Sequence, residues 1–210
     1  MIRDVVLRLH IAAGVVALAA GFVAVVTTKG GQHHRRAGRV YVAAMGVVVT
    51  TVLPLFAFEP RQFSLQFLLL VAVFSGYLAF SGYRVLARKR PGDAATPVDW
   101  TAACGVVLAC LGLAAMGGSL LLERNSFGAV LVVFGSIGGY FGIADIRQFR
   151  RGDPEWVIDH LTRMVGAYIA TVTAVVAVNV TRLPAAVAWL LPTAVGVPLI
   201  VYWQHKYGPE

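Results

Sequence analysis

Few side chains in this chain could do chemistry, because most of the sequence is apolar. An ionisable residue in or beside a membrane-spanning segment usually faces the protein interior and is a functional candidate. The candidates within or next to the long apolar runs are His10, His33, His34, Arg39, Asp145, His160 and Arg163. Imidazole and carboxylate groups ligate metals, transfer protons or pair with arginine, so several kinds of site are open.

One interpretation of the histidines is that two of them bind a b-type haem. Two neutral histidines at matching depth on facing helices would supply the axial ligands, while the bundle keeps water away from the iron. His34 and His160 are the pair that the sequence favours, and His10 is an outer ligand if there is a second site. Arg39 and Arg163 are then candidates for contacts with anionic groups.

A zinc-dependent intramembrane hydrolase is an alternative that uses some of the same residues. His33, His34, Asp145 and His160 would supply nitrogen and oxygen ligands to zinc and leave one position open. The chain has no HisGluxxHis spacing to support this site. It also lacks the phosphate-binding glycine loops, the GlyxSerxGly elbow and the CysxxCys motif of common soluble enzymes.

Two further interpretations need no cofactor. A transporter would move protons or ions through His10 and the layer around Asp145, although the spans lack the paired broken helices that often mark such sites. A non-enzymatic membrane scaffold would use the same charges for structure. In that case Asp145 pairs with Arg163 or Arg39, and the histidines are solvated or hydrogen-bonded.

Composition indicates the elements that must position these residues. The chain has 210 residues, of which 58% are hydrophobic and 13% charged, and its mean hydropathy is +0.74. A soluble domain has a very different balance. Long unbroken apolar runs also exclude a membrane β-barrel, whose strands alternate polar and apolar residues. We therefore expect an all-α membrane bundle that forms a single domain over residues 1–210.

Seven apolar runs are long enough to cross a bilayer, since a crossing needs about 20 residues. The predicted helices are 5–28, 39–58, 63–86, 98–122, 127–145, 157–180 and 185–203. Charged, turn-forming segments such as LysGlyGlyGlnHisHisArgArg and ArgLysArgProGlyAsp separate them. None of these segments is long enough to form a second domain.

Basic residues divide unevenly between the two sides of the predicted bundle. With seven crossings, 13 of the 18 Lys and Arg residues fall on one side and 5 on the other. Short basic loops stay in the cytoplasm, so we expect an outer N-terminus and a cytoplasmic C-terminus in a prokaryotic cell membrane. The net charge of +8 then reflects topology and attraction to anionic lipid headgroups. Nucleic-acid binding is disfavoured because the charges are scattered over short loops.

Small residues predict where helices pack closely. The predicted fifth helix carries two overlapping small-xxx-small pairs, Gly135 with Gly139 and Gly138 with Gly142. Gly14 and Gly21 stand one heptad apart in the first helix and suggest the same role. Cys104 and Cys110 are six residues apart, so they point to different faces and are interpreted as small packing residues. Homo-oligomer formation is left open.

Several segments together resemble one family of membrane proteins. They are LeuHisIleAlaAlaGlyValValAlaLeuAlaAlaGly, LysGlyGlyGlnHisHisArgArgAlaGlyArgValTyr, PheGlyAlaValLeuValValPheGly and AspHisLeuThrArgMetValGlyAlaTyrIleAlaThrValThrAla. Over nearly the whole chain they resemble the domain-of-unknown-function 2306 family of prokaryotic membrane proteins. The resemblance implies a multi-helix membrane fold and no established activity. It is densest at His10, Gly14, His34, Gly38, Arg39, His160 and Arg163.

Overall fold

Long α-helices make up almost all of the structure, a computed structural model that describes residues 1–58, 63–90, 92–152, 155–180 and 182–208. For residues 63–67 and 185 it describes the backbone alone. The helices in these ranges are α1 Ile2–Val26, α2 Gln32–Phe58, α3 Phe63–Arg84, α4 Pro97–Leu122, α5 Gly128–Arg151, α6 Trp156–Asn179 and α7 Ala185–Tyr207. Each provides a segment long and apolar enough to cross a membrane. The predicted seven-helix membrane bundle is therefore confirmed.

The second helix begins earlier than the sequence suggested. α2 begins at Gln32, seven residues before the predicted start at Arg39. His33 and His34 consequently lie in its first turn and not in a loop. The prediction was wrong because apolar runs stop at the first charged residues, whereas helices continue into the interface with their charged ends turned to water.

The fifth and seventh helices end later than predicted for the same reason. α5 continues to Arg151, so Asp145 lies well inside the helix and does not close it. α7 continues to Tyr207, beyond its predicted end at residue 203. Because of these extra turns, polar side chains near the ends of α5 and α7 lie level with neighbouring helices and can contact them.

The central helix of the bundle is α3, which packs against α2, α4, α5 and α6. It is also the most enclosed of the seven spans. The contacts of α1 with α2, α2 with α3, α3 with α6 and α6 with α1 close a ring of four helices. Within the described residues, α2 and α6 face each other across this ring without backbone contact, and α7 packs mainly against α6.

Antiparallel packing brings one set of helix ends together. α1, α3, α5 and α7 end there, and α2, α4 and α6 begin there. We call this side the basic end, because the 13 basic residues predicted to share one side all lie here. Arg61, predicted for the opposite side, lies outside the described residues. The assignment of the basic end to the cytoplasm stays a prediction.

Close contact between α4 and α5 depends on the predicted glycines. A Cβ atom on Gly135 would lie 2.7 Å from the carbonyl oxygen of Cys110, and a Cβ on Gly142 would lie 2.6 Å from a Val107 methyl group. Gly138 also has no room for a side chain. The predicted close approach is thus confirmed at these three positions, while Gly139 is in ordinary contact only.

The packing predictions for the first helix and for the cysteines are confirmed in part. Gly21 lies against the ring of Tyr168, as a packing glycine should. The same prediction for Gly14 is wrong, because nothing lies within 4 Å of a Cβ built there. Cys104 is exposed and Cys110 is buried against α5, so the two do occupy different faces of α4.

Candidate functional site

A large cavity opens inside the four-helix ring at the basic end. Its volume is about 740 Å³, within the range of about 300–1,000 Å³ that is usual for small-molecule sites. The walls are mainly apolar and come from α1, α2, α6, α7 and the end of α3 with the turn that follows it. The ring is therefore wide enough here to admit a ligand between α2 and α6.

Two histidines from opposite sides of the ring meet at this cavity. The rings of His34 on α2 and His160 on α6 have centroids 6.2 Å apart and planes at 78°. The Nδ1 atom of His34 is 2.9 Å from the carbonyl oxygen of Ala24, and that of His160 is 2.7 Å from the carbonyl oxygen of Gly82. A carbonyl only accepts, so each Nδ1 carries the proton and a neutral ring keeps its Nε2 lone pair. Metal-bound histidines are oriented by the same kind of bond.

The turn between α1 and α2 delivers His34 to this position. Gly30 has φ +74°, a left-handed conformation that glycine adopts without strain. The chain therefore reverses within a few residues, and the first turn of α2 returns beside the last turns of α1. Lys29 reinforces the turn by donating from Nζ to the carbonyl oxygens of Ala24 and Val25.

Two tyrosines form the floor of the cavity. Tyr41 lies seven residues beyond His34 on α2, about 10 Å deeper along the helix. Its hydroxyl is 3.1 Å from that of Thr171 on α6, and its ring meets that of Tyr168 with centroids 6.3 Å apart. Tyr41 is 1% exposed. These contacts between α2 and α6 close the ring below the histidines and give the cavity a fixed depth.

Cations surround the mouth of the cavity. The basic lining residues are Lys29, Arg35, Arg39, Arg84 and Lys89, and the described lining contains no Asp or Glu. Lys29 lies 5.0 Å from the centroid of the Trp203 ring, and Lys89 lies 4.6 Å from that of Trp156. Burial lowers the pKa of Lys29. Unbalanced positive charge at an apolar opening attracts anionic groups.

A buried ion cluster joins α3, α5 and α6 next to the cavity. Nε of Arg163 lies 3.2 Å from Asp145, and Nη2 of the same guanidinium bonds the other oxygen of that carboxylate. Nη1 of Arg163 lies 3.2 Å from Asp159, and the Tyr77 hydroxyl donates to Asp145. The predicted pairing of Asp145 with Arg163 is confirmed. Arg163 is 4% exposed and does not line the cavity, so it is not placed to contact an anionic ligand there.

No protein-family model, curated protein or solved structure matches this chain. The resemblance to the domain-of-unknown-function 2306 family therefore stays a prediction. A helix bundle supports many unrelated functions, so the function of this one must be argued from the chemistry of its site.

His10 lies far from the other candidates. Its Nδ1 is 2.9 Å from the Thr51 hydroxyl, toward the end of the bundle opposite the cavity. The sixteen residues from His10 to the end of α1 correspond to about 24 Å along the helix. The other four histidines all lie at the basic end. A second haem site with His10 as one of two histidine ligands is thus not formed within this chain, and the transporter interpretation stays a prediction.

The four predicted zinc ligands are not brought together. The described part of the chain contains no group of three or more His, Cys, Asp or Glu side chains placed to hold a metal ion. Asp145 is occupied by Arg163 and Tyr77, and His33 is exposed outside the cavity lining. The zinc interpretation is wrong in this respect, since the structure unites only His34 and His160 of that set.

A second buried ion cluster, which the sequence pattern did not indicate, ties α3 to α4. Asp99 lies 2.9 Å from Nε of Arg84 and 3.1 Å from Nη1 of Arg88. It also completes a capping box with Thr96 at the beginning of α4. Arg88 is 5% exposed and lies 4.6 Å from the centroid of the Phe149 ring. This cluster fixes the turn after α3, from which Lys89 reaches the cavity.

Proposed function

We propose that this chain is a membrane haem protein, in which His34 and His160 ligate the iron of a b-type haem within the cavity. The observation that carries this proposal is the approach of two imidazoles whose Nδ1 atoms are both held by backbone carbonyls. Their ring centroids lie 6.2 Å apart, so these two side chains, one from each side of the four-helix ring, would be the residues that hold the iron. A bound haem would supply one-electron redox chemistry.

The protein's own residues have three tasks in this proposal. The carbonyl groups of Ala24 and Gly82 keep both imidazoles in the tautomer that presents Nε2. The apolar walls and the floor formed by Tyr41 and Tyr168 exclude water from the ligand. The cations at the mouth balance anionic groups on its periphery.

Haem titration of the purified protein tests the proposal, with a cavity-filling variant as the discriminating sample. Gly38 lines the cavity, and nothing lies within 4 Å of a Cβ built there. Gly38→Leu should therefore fill the site without disturbing the fold, whereas Gly46→Leu on the same helix, equally uncrowded, leaves the cavity open. We expect one haem per chain and a Soret band for wild type and Gly46→Leu, and neither for Gly38→Leu. A colourless wild-type protein after titration would exclude the proposal.

We further propose that the protein lies in a prokaryotic cell membrane with its basic end in the cytoplasm. The 13 basic residues gathered at that end support this orientation. Single cysteines at Arg90 and Ser126, in a background with Cys104 and Cys110 replaced by alanine, report on the two ends. We expect an impermeant thiol reagent added to intact cells to label Ser126→Cys and not Arg90→Cys. The reverse pattern would contradict the orientation.

A further inference from the structure

Three cations that line the cavity have no carboxylate partner within the described residues. We call Arg35, Arg39 and Lys89 the basic collar. Arg35 directly follows His34 on α2, Arg39 lies one turn further along the same helix, and Lys89 follows the turn after α3. Their situation differs from that of the remaining lining cations, because Arg84 is paired with Asp99 and Lys29 donates to backbone carbonyls.

The collar is built differently from the ion clusters deeper in the bundle. There, Arg88 and Arg163 each face a carboxylate. At the cavity, the described lining offers the collar no acidic residue at all. Lys89 is held against the Trp156 ring, which orients the ammonium group without neutralising its charge. Cations that border an apolar cavity and have no anionic partner there are complementary to an amphiphile that carries anionic groups.

We infer that the cavity's ligand is an anionic amphiphile, whose carboxylate or phosphate groups bind the basic collar while its apolar body lies against the tyrosine floor. The inference rests on the proposed function where the ligand is haem, whose two propionates supply the carboxylates. An anionic phospholipid headgroup is a second source of the same chemistry. Both sources require charge-assisted hydrogen bonds from the collar, with the arginines suited to bidentate contacts.

A comparison of haem with its dimethyl ester measures what the collar contributes. The full-length protein in neutral detergent is titrated with each porphyrin, as wild type and as Arg35→Gln/Arg39→Gln/Lys89→Gln. Wild type should bind the diacid at least about tenfold more tightly than the ester, because the ester cannot form charge-assisted bonds. The collar variant should lose this preference and keep its affinity for the ester.

A charge-matched control separates the collar from general electrostatics. Arg147, Arg150 and Arg151 are exposed at the same end of the bundle and do not line the cavity. Replacing all three with glutamine removes the same charge, and we expect the preference for the diacid to survive. Equal binding of both porphyrins by wild type, or an equal loss of preference in the control, would overturn the inference for haem while the haem proposal itself stands.

If neither porphyrin binds, the proposed function fails and a lipid probe decides the collar inference. Trp156 lines the cavity, so brominated phosphatidylglycerol in phosphatidylcholine vesicles should quench tryptophan fluorescence when it enters. We expect stronger quenching than by brominated phosphatidylcholine, with the excess lost in the collar variant and retained in the Arg147, Arg150 and Arg151 control. No excess quenching, or an excess that the collar variant retains, would overturn the inference.

Discussion

His34→Ala and His160→Ala should each convert the haem-loaded protein from a six-coordinate to a five-coordinate spectrum, and the double variant should bind no haem. In the proposed haem site each imidazole would supply one ligand to the iron, and the two side chains reach the site from different helices. Loss of one ligand should weaken haem binding by about 100-fold or more, beyond the effect usual for outer-shell groups. Absorption spectra and haem titrations of the purified variants measure both quantities.

Two other histidines serve as controls for this experiment. His33 neighbours His34 but is exposed outside the cavity, and His205 is bonded to the carbonyl group of Val201 on its own helix. Alanine at either position should leave the spectrum and the affinity unchanged. An unchanged spectrum in both His34→Ala and His160→Ala, with haem still bound, would remove these residues as ligands.

Arg163→Met should cause the largest loss of stability of any single change in the buried ion cluster. The substitution leaves the Asp145 carboxylate, which is 2% exposed, with only the Tyr77 hydroxyl as a partner. Breaking a buried ion pair from one side costs about 3–5 kcal/mol, because the remaining charge stays desolvated. Asp145→Asn should cost less, since Arg163 keeps its contact with Asp159. Unfolding free energies in mixed detergent micelles test this order.

A double-mutant cycle makes the same prediction sharper. Asp145→Asn/Arg163→Met removes both charges, so we expect it to be less destabilised than Arg163→Met alone. Asp159→Asn, whose side chain is 16% exposed, is the matched carboxylate control and should have the smallest effect. Single variants at Asp145 and Arg163 that unfold within about 0.5 kcal/mol of wild type, as surface substitutions do, would contradict a buried, coupled pair.

The end of the bundle at which each candidate residue lies could be predicted from the sequence, because successive crossings place alternate loops at alternate ends. Asp145 and Arg163 were predicted for one layer, and the structure joins them. His34 and His160 were predicted for the same end, and the structure brings their rings together. Whether these histidines bind haem stays a prediction.

Side-by-side neighbours within a layer could not be predicted, and the zinc interpretation failed for this reason. His33 and His34 are adjacent in sequence, yet on a helix adjacent residues point about 100° apart. Only His34 faces the cavity. Tyr77 and Arg84 both lie on α3, and their partners Asp145 and Asp99 come from α5 and α4, which only the folded chain brings near.

Hydrophobicity by itself determined that this chain forms seven membrane helices, because a backbone in lipid must satisfy its own hydrogen bonds within each long apolar segment. The glycines of α5 likewise predicted its close packing against α4. Tertiary structure alone decided that α2 and α6 stand apart across a ring and leave a cavity with a histidine on either side. Lipid and protein interior are equally apolar, so hydrophobic patterning does not specify which helices become neighbours. The shapes of the helix surfaces and their buried polar contacts determine which helices become neighbours.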